Sequence, residues 1–133
     1  MSAFHMTASL MTGHTQIDTE HEHLLVLMDQ LEESLKANDD EACAGIITEL
    51  TEALETHLAN EEEIMKGHGF PQLEDHKELH QKAKSKYLAL IAKAEHHGYA
   101  NGFSDALISI LADDLIAADM DFKTYLESMS YKG

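Results

Sequence analysis

The sequence predicts an all-α chain folded as an antiparallel up-and-down four-helix bundle, with a short extended arm at its N-terminus. Apolar residues recur at helical spacing along nearly the whole chain, with a single proline, Pro71, and long runs of Leu, Ala, Glu, Lys and Met. Clusters of turn-forming residues divide those runs into four segments of similar length with short connections, which place sequence neighbours side by side. The 133 residues suffice for one core, and neither linker-like composition nor an internal repeat divides them, so 1–133 is read as a single domain.

In the first helix Asp18 can act as the cap and the run extends to about Ala37, with Leu24, Met28, Leu31 and Leu35 on its buried stripe. The NDD at 38–40 breaks the chain and can cap a second helix, which runs until GHGFP (67–71) stops it; Ile46, Ile47, Leu50, Leu54, Ile64 and Met65 form its stripe. Leu73 begins the third helix, which ends near His96, and Leu73, Ala83, Tyr87, Ile91 and Ala94 mark its inner face. HHGYANG supplies the next turn. Ser104 can cap a fourth helix that reaches about Met129, striped by Leu107, Leu111, Leu115, Phe122 and Met129.

Charge narrows the partners. With 25 acidic residues against 9 basic ones the formal charge is −16, which argues against nucleic acid or an anionic membrane surface and suits cations. The longest apolar runs, such as LLVLM at 24–28, are far short of a membrane span, and MSAFHMTASLMTG lacks the basic-then-apolar order of a signal peptide, so a cytoplasmic location is expected. Nothing in the sequence fixes the oligomeric state, and a monomer is compatible with it. The single cysteine, Cys43, excludes an internal disulfide and a thiolate cluster, and it reads as a small core residue. Any metal must therefore be held by histidine and carboxylate.

A rotation of about 100° per residue places each polar residue relative to the stripe of its own helix. In the second helix His57 and Glu61 fall inside the stripe, four residues apart, while Glu49, Glu52, Glu55 and Glu63 fall on the solvent side. In the third, His76 and His80 lie near the centre of the buried face; in the first, His21 is on the inner side and His23 farther round. His5, His14, His68, His96 and His97 are expected at the surface. One buried histidine is ordinarily a core residue satisfied by a backbone carbonyl. Burying four imidazoles and a carboxylate without partners would cost several kcal/mol, and a bound cation compensates all of them. Imidazole and carboxylate without thiolate suit iron, zinc or manganese, and facing helices of a bundle can host dinuclear carboxylate-bridged sites. A lone H-x-x-x-H or H-x-x-x-E is weak evidence, whereas an inward cluster contributed by several helices is strong.

These residues resemble the hemerythrin family, and specifically its single-domain bacterial members. TGHTQIDTEH ends in His21, HLANE holds His57 and Glu61, HKELH holds His76 and His80, and EEEIMKGHGFPQLEDH is similar to the family's second loop. The similarity runs from about Phe4 to Met129, with three of the four motifs intact. It implies a non-haem centre of two iron ions that binds dioxygen or a similar small ligand. His21 and His57 would hold one ion and His76 and His80 the other, with Glu61 and Asp119 bridging. Registering DMDFKTYL against the family's last motif identifies Asp119, because an aromatic, here Phe122, follows the bridging aspartate by three residues. The same registration makes Leu24, Leu58, Ile110, Leu111 and Leu115 the walls of an apolar ligand pocket, although core packing explains leucines there equally well. The family's tryptophans are absent; Met6 and Ile110 stand in their places, and the chain has no Trp.

Counting back five residues from Asp119 should reach the family's last histidine, and it reaches Asp114. On an ideal helix Asp114 and Asp119 flank the stripe roughly 140° apart, so each can address a different metal, while Asp113 points outward and Asp121 lies near the margin, and both are assigned to solvent. An aspartate oxygen stops nearer the backbone than the far nitrogen of histidine, and metal distances tolerate only about ±0.2 Å. Asp114 is therefore expected to bind after a shift of metal or helix, or to hold a water in that position; the alternative is a weakened or absent second iron. Negative charge there favours the ferric state. Three functions compete: a di-iron oxygen carrier, store or sensor, which the resemblance favours and which needs no catalytic residue; a di-iron oxidase or peroxidase; and a bundle whose metal site is altered or partly lost.

Overall fold

The computed structural model describes residues 12–99, 102–111 and 119–129, and all regular structure among these residues is helical. The helices are α1 (Thr15–Lys36), α2 (Asp40–Gly67), α3 (Leu73–His97), α4 (Phe103–Ile108) and α5 (Met120–Ser128). Contacts between Glu20 and His57, Thr51 and Tyr87, and Glu61 and His76 show α1, α2 and α3 running antiparallel in turn. The fourth position of the bundle is shared by α4 and α5. Phe103 at the start of α4 packs on Tyr99 beyond the end of α3, and Phe122 of α5 packs on Phe70 just before α3 begins.

Local chemistry sets the helix ends. Asp18 does not cap α1: the helix begins earlier, at Thr15, with His14 as the cap residue. The Asp18 carboxylate instead reaches back one turn and accepts from the Thr12 and Gly13 backbone N–H groups at 2.7 and 3.0 Å and from the Thr12 hydroxyl at 2.9 Å. An acid in a first turn thereby satisfies donors of the entering chain and sits at the positive end of the helix dipole. Asp39 caps α2 by accepting from Ala42 N at 3.1 Å. Beyond Gly67 the chain turns through Gly69, whose φ of +68° disfavours any side chain. The Tyr125 hydroxyl donates to the carbonyl oxygens of His68 and Gly69 at 2.7 and 3.2 Å, tying this turn to α5.

The predicted fourth helix differs most. Gly102, at φ 92°, caps α4 in place of Ser104, and the helix widens into a π turn over residues 109–111. Asp113, Asp114 and Leu115 lie outside the described residues, as do the N-terminal arm and Met6. Met129 falls beyond the last turn of α5 and is half exposed, so it does not extend the stripe. Leu35, Ile46, Ile64 and Leu73 are half-buried at the edges of the core rather than within it.

The core is split by a polar layer. On one side Leu24, Leu31, Leu50, Leu54, Leu58, Ala83, Tyr87, Ile91, Leu107 and Leu111 form a large apolar cluster. On the other, Ile17, Met65, Phe70, Phe122 and Leu126 form a smaller one at the end of the bundle that holds the α2–α3 turn. Each long helix passes from one cluster to the other through its histidines: Ile17, His21, Leu24 on α1 and Leu54, His57, Glu61, Met65 on α2. Tyr87 is 1 % exposed and its hydroxyl meets Thr51 Oγ1 at 2.7 Å within the large cluster. Tyr87→Phe keeps the ring and removes the bond, so a loss of about 1–2 kcal/mol is expected from urea denaturation. An unchanged midpoint would show that the bond contributes nothing net.

Candidate metal centre

The polar layer joins His21 of α1, His57 and Glu61 of α2, His76 and His80 of α3, and Asp119 immediately before α5, and all six are buried. The spacing of four residues places His57 over Glu61 and His76 over His80, with the two imidazoles of α3 4.3 Å apart. Glu61 is 0 % exposed and stands at the middle. Its Oε2 lies 2.9 Å from His57 Nε2 and 3.5 Å from His21 Nε2, while Oε1 lies 2.7 Å from His76 Nε2 and 3.0 Å from His80 Nε2. Asp119 divides in the same way, with Oδ2 at 2.8 Å from His21 Nε2 and Oδ1 at 2.9 Å from His76 Nε2. Each carboxylate thus presents one oxygen to each half of the layer.

Two sets of ligand atoms result, one of His21, His57, Glu61 and Asp119 and one of Glu61, His76, His80 and Asp119, the atoms of each set lying within 4.8 Å of one another. Either set is able to hold a metal ion. Closeness here is not hydrogen bonding throughout: among the described residues, His21 Nε2 and Nδ1, Glu61 Oε2 and Asp119 Oδ1 are buried without a hydrogen bond. Atoms that are near but not aligned on one another cost about 1–3 kcal/mol each to bury, and a shared cation relieves those that face the layer. The residues present therefore fit a cation.

Two further carboxylates, not among the sequence candidates, orient the histidines. His57 Nδ1–H donates to Glu20 Oε1 at 2.7 Å, and His80 Nδ1–H donates to Glu62 Oε2 at 2.9 Å. An ionised carboxylate can only accept, so each bond puts the proton on Nδ1 and leaves the Nε2 lone pair facing inward, as a metal ligand requires. Glu20 also accepts from Asn60 Nδ2 at 2.9 Å and Gln16 Nε2 at 3.2 Å.

The electrostatics record how tightly the groups are forced together. Burial opposes ionisation of Glu61, but the four surrounding histidines overcome it and hold its carboxyl well below the usual range. Burial, reinforced by the charge of Glu61, pushes Asp119 up. Burial alone would lower His21 and His76, yet the carboxylates of Asp119 and Glu61 close beside them outweigh it and raise them to about 9 and about 10. His57 is raised by Glu61 against the same burial.

Of the predicted pocket, Leu24, Leu58, Ile110 and Leu111 are buried in the large apolar cluster. His23, Glu49, Glu52, Glu55 and Glu63 are exposed on the outer faces, as is Asp121. Of the histidines expected at the surface, His96 and His97 are exposed, whereas His14 and His68 are half-buried with their rings edge-on 5.8 Å apart; His5 lies outside the described residues.

A helical bundle crossed by a buried layer of imidazole and carboxylate is the architecture of a cation-binding domain. The Hemerythrin HHE cation binding domain family matches residues 12–120, and the chain belongs to that family. No curated protein and no solved structure matches it.

Proposed function

We propose that this chain is a non-haem di-iron protein that binds dioxygen as a carrier, store or sensor. Supporting this reading is the division of the Glu61 and Asp119 oxygens between two histidine pairs, which is the layout of two bridging carboxylates. His21 and His57 would hold one iron and His76 and His80 the other. When bound, the metal pair supplies the electrons and an open coordination position for a small ligand. Glu20 and Glu62 keep Nε2 of His57 and His80 turned inward, and Leu24, Leu58, Ile110 and Leu111 exclude water from the neighbouring space; Leu115, read from the sequence as a further wall, lies outside the described residues. Asp114 takes the place of the family's last histidine, as a direct ligand or through a water. A formal charge of −16 disfavours nucleic acid and anionic membrane surfaces as partners, and no described helix is long and apolar enough to cross a membrane. We read residues 1–133 as one domain and expect it to work in the cytoplasm.

Anaerobic reconstitution with ferrous iron, followed by a metal count and visible spectra under oxygen and azide, tests this reading. About two ions per chain and a spectrum that reverses under vacuum are expected of a carrier. Fewer than about one ion per chain sinks it. Fast conversion to a ferric spectrum with consumption of added peroxide would assign the centre to an oxidase or peroxidase instead. Asp114→His removes a negative charge and should raise the reduction potential and shift the spectrum. If metal count, potential and spectrum all stay as in the parent, Asp114 is not at the centre.

A further inference from the structure

Two grooves on the surface reach the buried layer from opposite flanks of α2. The α1–α2 groove, of about 460 Å³, has Glu20, Glu49 and Glu52 on its walls and His57 at its floor. The α2–α3 groove, of about 370 Å³, is lined by Leu58, Ala59, Glu62, Ser85 and Lys84, with His80 at its floor. Each groove therefore ends on a histidine of the centre that is covered by an outer carboxylate. The two covers are not alike. Glu20 is held by His57, Asn60 and Gln16 together, so moving it breaks three bonds. Glu62 bonds to His80 alone among the described residues, and its side chain is 30 % exposed. The seams differ in the same sense, since the backbones of α1 and α2 approach each other more closely than those of α2 and α3.

We propose that metal ions pass between the centre and solvent through the α2–α3 groove, with Glu62 as a gate closed on His80. Swinging Glu62 outward frees the His80 ring to turn its Nε2 toward the groove, where an incoming cation meets the displaced carboxylate first and the imidazole next. Carboxylate and imidazole hand the ion inward to Glu61, whose Oε1 already lies beside His80 Nε2. The acidic wall of the α1–α2 groove attracts cations without opening to them, because its cover is pinned by α1 and α2 together. This rests on the di-iron reading only in needing a cation to travel.

The test follows ferrous iron under anaerobic conditions, timing uptake by the metal-free chain and release to a ferrous chelator, with a final metal count for each variant. Ser85→Trp places a bulky ring in the α2–α3 groove and Thr56→Trp places the same ring in the other; both positions are exposed. Ser85→Trp should slow uptake and release by about tenfold at an unchanged final count, while Thr56→Trp leaves both near the parent rates. Glu62→Gln weakens the closing bond and should speed both by a similar factor, about tenfold. Slowing by Thr56→Trp instead, or parent rates in both Ser85→Trp and Glu62→Gln, overturns the proposal while a full count in the parent leaves the di-iron reading standing. A parent chain that takes up no iron overturns both.

Discussion

Glu61→Gln should strip the chain of bound metal and, in the metal-free state, destabilise it by about 3–5 kcal/mol near neutral pH. Its two oxygens face different histidine pairs, so the substitution weakens both sets of ligands at once, whereas a change at any single histidine reaches one set. Glutamine keeps the volume, so no cavity contributes. What is lost is the main charge that holds His57 above the usual imidazole range and one of the two, after Asp119, that hold His21 and His76 there. Asp119 alone is then left to offset several imidazolium ions in a buried layer, so some of them must lose their protons or open the layer to water, and both weaken the fold. Against a typical total of about 5–15 kcal/mol the effect is large. It should shrink above about pH 10, where His21 and His76 lose their protons in the parent as well. Metal content after desalting and urea denaturation at the two pH values measure it. Retention of the parent's metal content by Glu61→Gln would exclude Glu61 as a bridge.

Rotation about the helix axis was enough to find His21, His57, Glu61, His76 and His80, because each lies well inside an apolar stripe that neighbouring residues define on both sides. Glu20 and Glu62 escaped the same reasoning. Both flank the stripe, partly exposed, where rotation alone cannot separate a carboxylate that bonds a buried imidazole from one that faces water. Their signal lies across helices: Glu20 matters through His57, 37 positions away, and Glu62 through His80, 18 away. Asp18 misled for a related reason. It has the chemistry of a cap, but its bonds run to the chain before the helix, and Thr15 and Gln16 carry no mark that the helix has already begun. In the fourth position regular counting by 100° fails at the π turn over 109–111, so residues on either side of it no longer share the register that an unbroken helix would impose. Asp119 was placed by registration against a family motif rather than by rotation, and it lies in the layer all the same.

Metal-free and metal-loaded protein should respond to pH differently. In the metal-free chain His21 and His76 bind their protons more tightly folded than unfolded, at about 9 and about 10 against an ordinary value of 6.5. The stability this supplies is complete below about pH 6.5 and is lost as pH rises through 9 and 10. Each such group can lower stability by at most about 1.4 kcal/mol per pH unit inside that window, and their coupling through Asp119 and Glu61 makes the sum smaller than twice that. A cation needs the neutral imidazoles, so protons compete with it and its affinity rises across the same window. Loading therefore contributes most where the metal-free fold is weakest, and the gap between the two forms should widen from about pH 6.5 toward pH 9. Below about pH 4.5 protonation begins to reach Glu61 in the unfolded chain but not in the folded one, and metal-free stability falls as acid is added. Urea midpoints between about pH 5 and pH 9.5, with chelator and with excess zinc, give both curves. Parallel curves would mean that the cation does not occupy the positions these imidazole protons vacate, and the layer of His21, His57, Glu61, His76, His80 and Asp119 would then be a buried ion-pair network only.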